Sequence, residues 1–354
     1  MTLFTLTALS QLQNAPFDTV IDARAPAEYA QDHLPGAINL PVLDDAQRAE
    51  VGTIYKQQSP FMARKLGAAL VAQNVARHLQ GPLAQMPGSW QPLVYCWRGG
   101  QRSGAFAMIL RQIGWRVAVL EGGYKTYRRL VQAALYDSLF PAPVILLEGG
   151  TGSAKTEILA RVAGLGGQVI DLEALAQHRG SLFGQDGAQP AQKLFETRLA
   201  QAMLALDPAR PVLIEAESNR IGALRLPPAL WHAMQSAPRV QIMAPVAARA
   251  AYSLAAYHGF TDAPERLMAA IFALRPYHPV AQIEAWQAMA AAGQYAALAQ
   301  SLIARHYDPR YARMRAGLPP AEVIALPDLS APAQDHAAEW LMARLGPGGA
   351  CPEA

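Results

Sequence analysis

The chain has 354 residues, 52% of them hydrophobic and 16% charged, which is too long for one ordinary core and too apolar for a disordered segment, so two or three globular domains are expected. A net charge of +3 permits a nucleic-acid partner without demanding one. Two cysteines, Cys96 and Cys351, give neither a disulfide framework nor metal-ligand spacing. The opening Met1-Thr2-Leu3-Phe4-Thr5-Leu6 has no basic stretch and no long apolar core, so it does not read as a signal peptide. No apolar run approaches the roughly eighteen residues of a membrane span. A cytoplasmic protein with no membrane partner is expected.

Residues 18–22, Asp-Thr-Val-Ile-Asp, predict a buried parallel strand ending in a carboxylate. Arg24, Ala25, Glu28 and Tyr29 follow, then His33-Leu34-Pro35-Gly36-Ala37-Ile38-Asn39-Leu40-Pro41. Helical spacing runs from Leu66 to Leu79. The β-like run Pro92-Leu93-Val94-Tyr95 delivers Cys96 into the loop Trp97-Arg98-Gly99-Gly100-Gln101-Arg102-Ser103, and helical spacing resumes at Ala105, Phe106, Met108 and Ile109. A strand-to-helix loop turns its backbone N–H groups inward, the helix N-terminus adds positive partial charge, and Arg98 and Arg102 add full charges. Such a cradle lowers a thiol's pKa and predicts Cys96 to be a thiolate able to attack an anionic donor. A buried structural cysteine is the commoner fate of a lone Cys, but it does not need two glycines and two arginines within six residues.

Gly114-Trp115-Arg116 opens a further strand, Val117 to Leu120, ended by Gly122-Gly123-Tyr124. Strands alternating with helices predict a small α/β domain whose reactive loop sits at a strand's carboxyl end. Phe140-Pro141-Ala142-Pro143 then marks a boundary. A new strand, Val144 to Leu147, leads into Glu148-Gly149-Gly150-Thr151-Gly152-Ser153-Ala154-Lys155-Thr156. Against the phosphate-loop template G-x-x-x-x-G-K-[ST], Gly149, Lys155 and Thr156 fit, and Ala154 replaces the last glycine. A left-handed backbone there would cost alanine roughly 1 kcal/mol or more. The segment still predicts a phosphate cradle, with Lys155 on phosphate oxygens and Thr156 on a Mg²⁺ ion, against the plainer reading of a Gly-rich turn.

Two more apolar strands, 168–170 before Asp171 and 212–214 before Glu215, end in carboxylates, and Glu217 and Arg220 follow the second. Carboxylates so placed bind the metal or its waters, although one of the three equally suits the cap of the next helix. Arg239 to Met243 supplies another strand, and Pro245 to Ala304 is Ala- and Leu-rich at helical spacing, an added helical lobe. Arg305-His306-Tyr307-Asp308-Pro309-Arg310-Tyr311-Ala312-Arg313-Met314-Arg315 interleaves arginines with aromatic rings. That composition suits phosphate contact and base stacking on RNA, and equally a solvated helix end. Residues after Leu345 read as a disordered tail.

Together these strings resemble the tRNA 2-selenouridine synthases, a rhodanese domain followed by a P-loop domain, from Asp22 to about Arg315. The most specific are Cys96 to Ser103, Asp171-Leu172-Glu173 with His178-Arg179-Gly180-Ser181-x-Phe183-Gly184, Glu215-x-Glu217-Ser218 with Ile221-Gly222, and His306-Tyr307-Asp308-Pro309. The resemblance implies an α/β protein: a rhodanese-like parallel-sheet domain over 1–138, a P-loop NTPase-like domain over 139–245, a helical lobe returning to it over 246–330, and a C-terminal helix and tail over 331–354. It implies action on 2-thiouridine at the wobble position of Lys, Glu and Gln tRNAs. Sulfur is first alkylated by geranyl diphosphate, and selenium from selenophosphate then replaces the geranylthio group. Cys96 would carry selenium as a transient adduct with Trp97 to Ser103 as its anion loop. Gly149 to Thr156 would hold the diphosphate, and Asp171, Glu215, Glu217 and Arg220 would partner the metal or the P-loop. His178, Arg179 and Ser181 are carried over as family-motif residues, and Arg305, His306, Tyr307, Arg310 and Tyr311 as tRNA contacts. Haem, flavin and zinc are not implied.

Three other readings stay open. Cys96 to Arg102 also fits C-x5-R, the loop of cysteine phosphatases, although Tyr95 stands where a histidine is usual and no leaving-group acid is evident. A P-loop nucleotide-binding switch with a sulfurtransferase domain that senses sulfur donors is the second. A plain thiosulfate sulfurtransferase is the third, against which the Cys-to-Arg loop is one residue longer than usual.

Overall fold

The computed structural model describes residues 2–178, 188–256, 264–317 and 322–346. The chain forms two compact units, Met1–Leu139 with Pro190–Ala205 and Pro227–Ala229, and Phe140–Gln189 with Leu206–Leu226 and Leu230–Ala354.

The first unit is built on β1 (Thr2–Phe4), β2 (Thr19–Asp22), α1 (Pro26–Gln31), β3 (Ile38–Asn39), α2 (Asp45–Gln57), α3 (Pro60–Gln80), β4 (Pro92–Tyr95), α4 (Gln101–Gln112), β5 (Ala118–Leu120) and α5 (Gly123–Tyr136). Its sheet runs β1-β5-β4-β2-β3 with every pair parallel, so β4 is central. All four β4 residues are buried, as a parallel strand covered on both faces requires. Ile21, Val94, Phe106, Leu110 and Trp115 share the core. Phe106 and Leu110 lie four residues apart and reach it from one face of α4. Helix α3 starts earlier than its apolar spacing suggests, because Ser59 caps it, accepting from the Met62 N–H, and Pro60 takes the first turn.

Beneath the carboxyl ends of β2 and β4 lies a buried polar network. The Asp22 carboxylate receives Nε of Arg24 at 3.0 Å, Nη2 at 2.6 Å and the Tyr95 hydroxyl at 2.7 Å. Arg24 also donates to the Asp32 carbonyl at 2.6 Å and lies 4.0 Å over the Tyr124 ring, whose hydroxyl donates to Asp32 at 2.7 Å. Asn39 closes the network by donating to the carbonyls of Asp22 and Arg24. Burial works against the Arg24 charge, but Asp22 and its hydrogen bonds outweigh it and hold the guanidinium more firmly protonated than usual.

The second unit contains β6 (Val144–Gly149), α6 (Lys155–Gly164), β7 (Gln168–Ile170) and α7 (Leu172–Ala176). Then come β8 (Val212–Glu215), the hairpin β9 (Arg220–Ile221) and β10 (Leu224–Arg225), and β11 (Arg239–Met243). Its main sheet, β12-β11-β6-β8-β7, is again all parallel with a fully buried central strand, β6; β12 is Glu322–Ala325. Ile145, Leu147, Ile158, Leu213 and Ile242 form the core with Leu341 of the last helix, Ala331–Leu345. Between β11 and β12 the described residues include the helices Val246–Ala256, Pro264–Phe272, Val280–Ala291 and Tyr295–Leu302, the last three with a core around Trp286. A π-helical turn, Ile303–Tyr307, and a short helix, Asp308–Arg315, lead back to the sheet.

One helix departs from the sequence division. Gln192–Leu204 lies within the stretch expected to be P-loop domain, yet it groups with the first unit. The reason is its buried Glu196, whose carboxylate is satisfied by the Arg128 guanidinium and the Tyr136 hydroxyl of α5.

Arg24→Ala is expected to destabilise the first unit by about 3–5 kcal/mol, because it leaves Asp22 as an unpaired buried charge. Urea unfolding would show this as an earlier transition. The double change Asp22→Asn/Arg24→Leu should cost less than Arg24→Ala alone.

Candidate functional site

Cys96 emerges from β4 with only 3% of its surface exposed. Burial pushes its thiol pKa up, but the Ser103 hydroxyl, 3.2 Å from Sγ, the Ser103 N–H, the Arg102 charge and the Arg98 N–H together pull it below the ordinary value. Arg102 is held in turn by Glu28, Nη1 to Oε2 at 2.6 Å, while Arg98 is exposed. The structure thus brings Cys96, Arg102 and Ser103 together. Gly100 and Gln101 open α4, and the Trp97 ring lies 5.2 Å from that of Tyr124.

The floor of this loop is Gly122-Gly123-Tyr124, which sequence reading took only as a strand end. The Tyr124 N–H donates to the Cys96 carbonyl at 2.8 Å. Gly123 has φ +59°, and a Cβ there would stand 2.3 Å from the Cys96 carbonyl oxygen; a Cβ on Gly99, φ +65°, would stand 2.4 Å from that of Leu120. The adjacent glycines were the available signal for this close approach.

In the second unit, Gly149 to Ala154 link β6 to α6, which begins at Lys155. Ala154 does adopt the left-handed backbone its position demands, φ +57°, and its buried methyl belongs to the core with Ile145 and Leu147. Nζ of Lys155 donates to the Gly149 carbonyl at 3.2 Å, and the Thr156 hydroxyl to Oε1 of Glu215 at 3.2 Å. The Ser153 hydroxyl is buried with no hydrogen-bond partner among the described residues. Arg249, absent from the sequence expectations, braces the loop: it is 7% exposed, donates twice to the Thr151 carbonyl at 3.0 and 2.8 Å, and pairs with Asp308 at 2.7 Å. Its signal was the lone charge in the otherwise uncharged helix Val246–Ala256.

The carboxylates divide. Asp171 caps α7, accepting from the Ala174 N–H at 2.7 Å. Glu215 is fully buried, and burial together with the nearby Glu173 and Asp171 raises its pKa well above the usual range. Glu173, read in sequence only as part of a string, lines the P-loop cavity with Glu217. Burial, with Glu217 and Asp171 opposing Lys155, pushes its carboxyl up to about 7. Arg220 departs from expectation: it is exposed on β9, away from the cavity lining. His178 follows α7, its N–H donating to the Glu173 carbonyl at 3.0 Å, while Arg179 and Ser181 lie outside the described residues.

The cavity over the P-loop has a volume of 390 Å³. Its far wall includes His306, Tyr307, Arg310 and Tyr311, four of the five residues read as an RNA surface; Arg305 does not line it. His306 is 5% exposed, so it is no open stacking platform, and burial with Arg310 and His278 lowers its imidazole to about 4. Burial likewise pushes the Tyr311 phenol up to about 12. The π-helical turn, a device that recurs at functional sites, adds a residue to the helical repeat just where these side chains turn inward.

Residues 5–130 match the model of the rhodanese-like domain, and residues 142–270 that of the tRNA 2-selenouridine synthase AAA domain. The class is therefore a rhodanese-like domain fused to a P-loop-like domain. The chain is 37% identical over 235 residues to the tRNA 2-selenouridine synthase of Nitrosomonas europaea, covering 65% of this chain and 61% of that one. It is 38% identical over 251 residues to that of Bdellovibrio bacteriovorus (67% and 63%) and 37% over 255 residues to that of Salmonella heidelberg (69% and 68%). It thus spans a little over three fifths of the length of the first two relatives. The chain belongs to the tRNA 2-selenouridine synthase family.

Two titration predictions follow from this geometry. In a Cys351→Ser background, Ser103→Ala should raise the Cys96 pKa and slow its alkylation by iodoacetamide at pH 7 by about 3–10-fold, since one hydrogen bond to the thiolate is lost. Glu173 has a folded-state pKa raised from 4.5 to about 7, so the stability it contributes is fully present below 4.5 and lost as pH rises through 7. Glu173→Gln should therefore melt higher than wild type at pH 8, with the difference vanishing towards pH 4.5.

Proposed function

We propose that this protein converts 2-thiouridine at the wobble position of tRNA to 2-selenouridine by two group transfers. In the first, the thiocarbonyl sulfur attacks the first carbon of geranyl diphosphate held at the P-loop, the C–O bond breaks and diphosphate leaves. In the second, the Cys96 thiolate attacks the phosphorus of selenophosphate, the P–Se bond breaks and selenide leaves; selenide adds to the alkylated carbon and expels geranylthiolate, and water releases phosphate from Cys96. The wobble uridines of Lys, Glu and Gln tRNAs are the proposed targets.

The observation that carries the reading is what adjoins the P-loop. Its cavity shares Glu148, Ala216, Glu217 and Tyr311 with a 350 Å³ chamber whose inner wall is apolar, formed by Leu146, Trp231 and Met234. A phosphate cradle with an apolar annex suits an isoprenoid diphosphate better than the sugar and base of a nucleotide. Ion pairs of Glu148 with Arg239 and Arg315 rim the chamber.

The residues present also fit Mg²⁺. Thr156, Glu215 and Glu173 offer hard oxygen donors, and Mg²⁺ needs only one or two carboxylates because it keeps several waters. Besides burial, neighbouring acids raise Glu173 and Glu215, and that crowding is what a bound cation would relieve. When bound, the ion supplies positive charge to the diphosphate leaving group. Lys155 supplies charge of its own, and the buried Ser153 hydroxyl and the loop N–H groups orient the phosphates. At the other site, the Cys96 loop suits a tetrahedral anion, with Arg98 exposed to receive it. No helix among the described residues is long and apolar enough to cross a membrane.

Mass spectrometry of nucleosides from 2-thiouridine tRNA tests the reading. Geranyl diphosphate alone should yield the S-geranyl base, and selenophosphate should convert it to the selenated one. Lys155→Ala should abolish the first step; Cys96→Ala should keep it and lose the second. Unchanged tRNA in both wild-type incubations would refute the activity, and selenation by Cys96→Ala would refute the covalent role of Cys96.

A further inference from the structure

The P-loop cavity has a second neighbour, a cavity of 490 Å³ lined by Tyr277, His278, Arg305, His306, Arg310 and Arg313. Half of these residues are arginines and none is acidic. Among the described residues none of the three arginines pairs with a carboxylate. Arg305 donates to the Gln282 side-chain oxygen at 3.1 Å, Arg313 to the Pro309 carbonyl at 3.3 Å, and Arg310 lies 4.5 Å over the Tyr277 ring. Uncompensated cations in a concave wall concentrate positive potential and draw in a polyanion.

The remaining side chains narrow the class. Tyr277 is 60% exposed, and with Arg310 on one face its ring keeps a π-face for a flat partner. The two histidines are hydrogen-bonded to each other, Nε2 of His278 to Nδ1 of His306 at 2.8 Å, and His278 packs edge-on against the buried Trp286. That arrangement needs at least one ring neutral, so the pair serves as a polar wall and adds little charge. A small inorganic anion has no use for the ring, and an apolar ligand none for the arginines. Alternating phosphates and flat bases use both, and duplex bases are not free to stack on a side chain.

Position supplies the last element. Tyr277, His306 and Arg310 line this cavity and the P-loop cavity alike, so the two cavities adjoin at a shared wall.

We propose that this basic cavity is the acceptor site for one unstacked nucleotide of a single-stranded RNA loop. Arg305 and Arg313 hold its flanking phosphates, Tyr277 stacks on its base, and the base edge meets the P-loop cavity across the Tyr277–His306–Arg310 wall. The RNA class comes from the cavity itself; that the nucleotide is 2-thiouridine rests on the reaction proposed above.

The test compares binding of a 2-thiouridine anticodon stem-loop with binding of inorganic pyrophosphate, using the full chain. Arg305 and Arg313 line the basic cavity and not the P-loop cavity. Arg305→Ala/Arg313→Ala should bind the stem-loop at least about tenfold more weakly, with a salt slope shallower by about 1.4, as two single-strand phosphate contacts imply. Pyrophosphate affinity should stay at the wild-type value. Tyr277→Ala should weaken RNA binding without changing the slope, and Tyr277→Phe should restore it. Wild-type RNA affinity and slope in the double variant would overturn the site, as would an equal loss of pyrophosphate binding, which would assign the arginines to the fold. A wild-type chain that binds the stem-loop through these arginines yet leaves its base unalkylated supports the site and refutes the reaction. Alkylation at the wild-type rate in the double variant, with RNA affinity intact, does the reverse.

Discussion

Backbone must pass against backbone at the carboxyl end of β4, and the chemistry of the first unit depends on it. A single methyl on Gly123 would fall 2.3 Å from the Cys96 carbonyl oxygen, and that carbonyl is in turn fixed by the Tyr124 N–H. The contact turns the loop over so that Ser103, at the start of α4, reaches Sγ. Beneath it the Arg24 guanidinium supports the Tyr124 ring, so a buried ion pair reaches the reactive loop through one aromatic side chain. The same scheme recurs at the P-loop. Both reactive loops leave the middle strand of a five-stranded parallel sheet, where neighbours on both sides fix where the chain emerges.

The two sites use charge in opposite ways. At Cys96, donors and a nearby arginine outweigh burial and favour the anion, lowering the thiol pKa. At the P-loop, acids crowd the lysine. Glu173 and Glu215 are both held up by burial and by neighbouring acids, Glu217 and Asp171 among them, with Lys155 only partly offsetting these. Such a site is poorly matched by a phosphate alone, which would add negative charge to negative charge. It is matched by an anion that arrives with a divalent cation, and this is why the carboxylates belong to the same chemistry as the lysine.

How much of this was legible in sequence follows from the range of the interactions. The Cys96 loop and the P-loop are contiguous strings between a strand and a helix, and both lie where the strings place them. One of the three carboxylates was expected to suit a helix cap, without saying which, and Asp171 is the one that caps. Arg249 and Glu173 were not assigned, because their roles depend on Thr151 and Glu215, 98 and 42 residues away in the chain respectively, and apolar periodicity carries no record of such partners. The stretch from Arg305 to Tyr311 is a different case. Its composition was read correctly as basic and aromatic, but the π-helical turn breaks the 3.6-residue phase, so the face each ring occupies could not be counted off. Helix Gln192–Leu204 lies in the sequence of the second domain yet groups with the first unit, because the cation that satisfies Glu196 belongs to α5, which no local pattern could show.

Ala154 separates two demands that a glycine in the phosphate-loop template meets together. One is a left-handed backbone at the residue before the lysine; the other is the absence of a side chain near the ligand. With φ at +57°, the first demand is enforced even against the roughly 1–2 kcal/mol that a Cβ costs there. The second is relaxed, because the methyl finds a place in the core formed by Ile145, Leu147 and Ile158, where burying it returns about 0.8 kcal/mol. The two terms nearly cancel, so alanine is tolerated without moving Lys155 from its place at the start of α6. Backbone direction at this position, more than the missing side chain, is what the cradle requires.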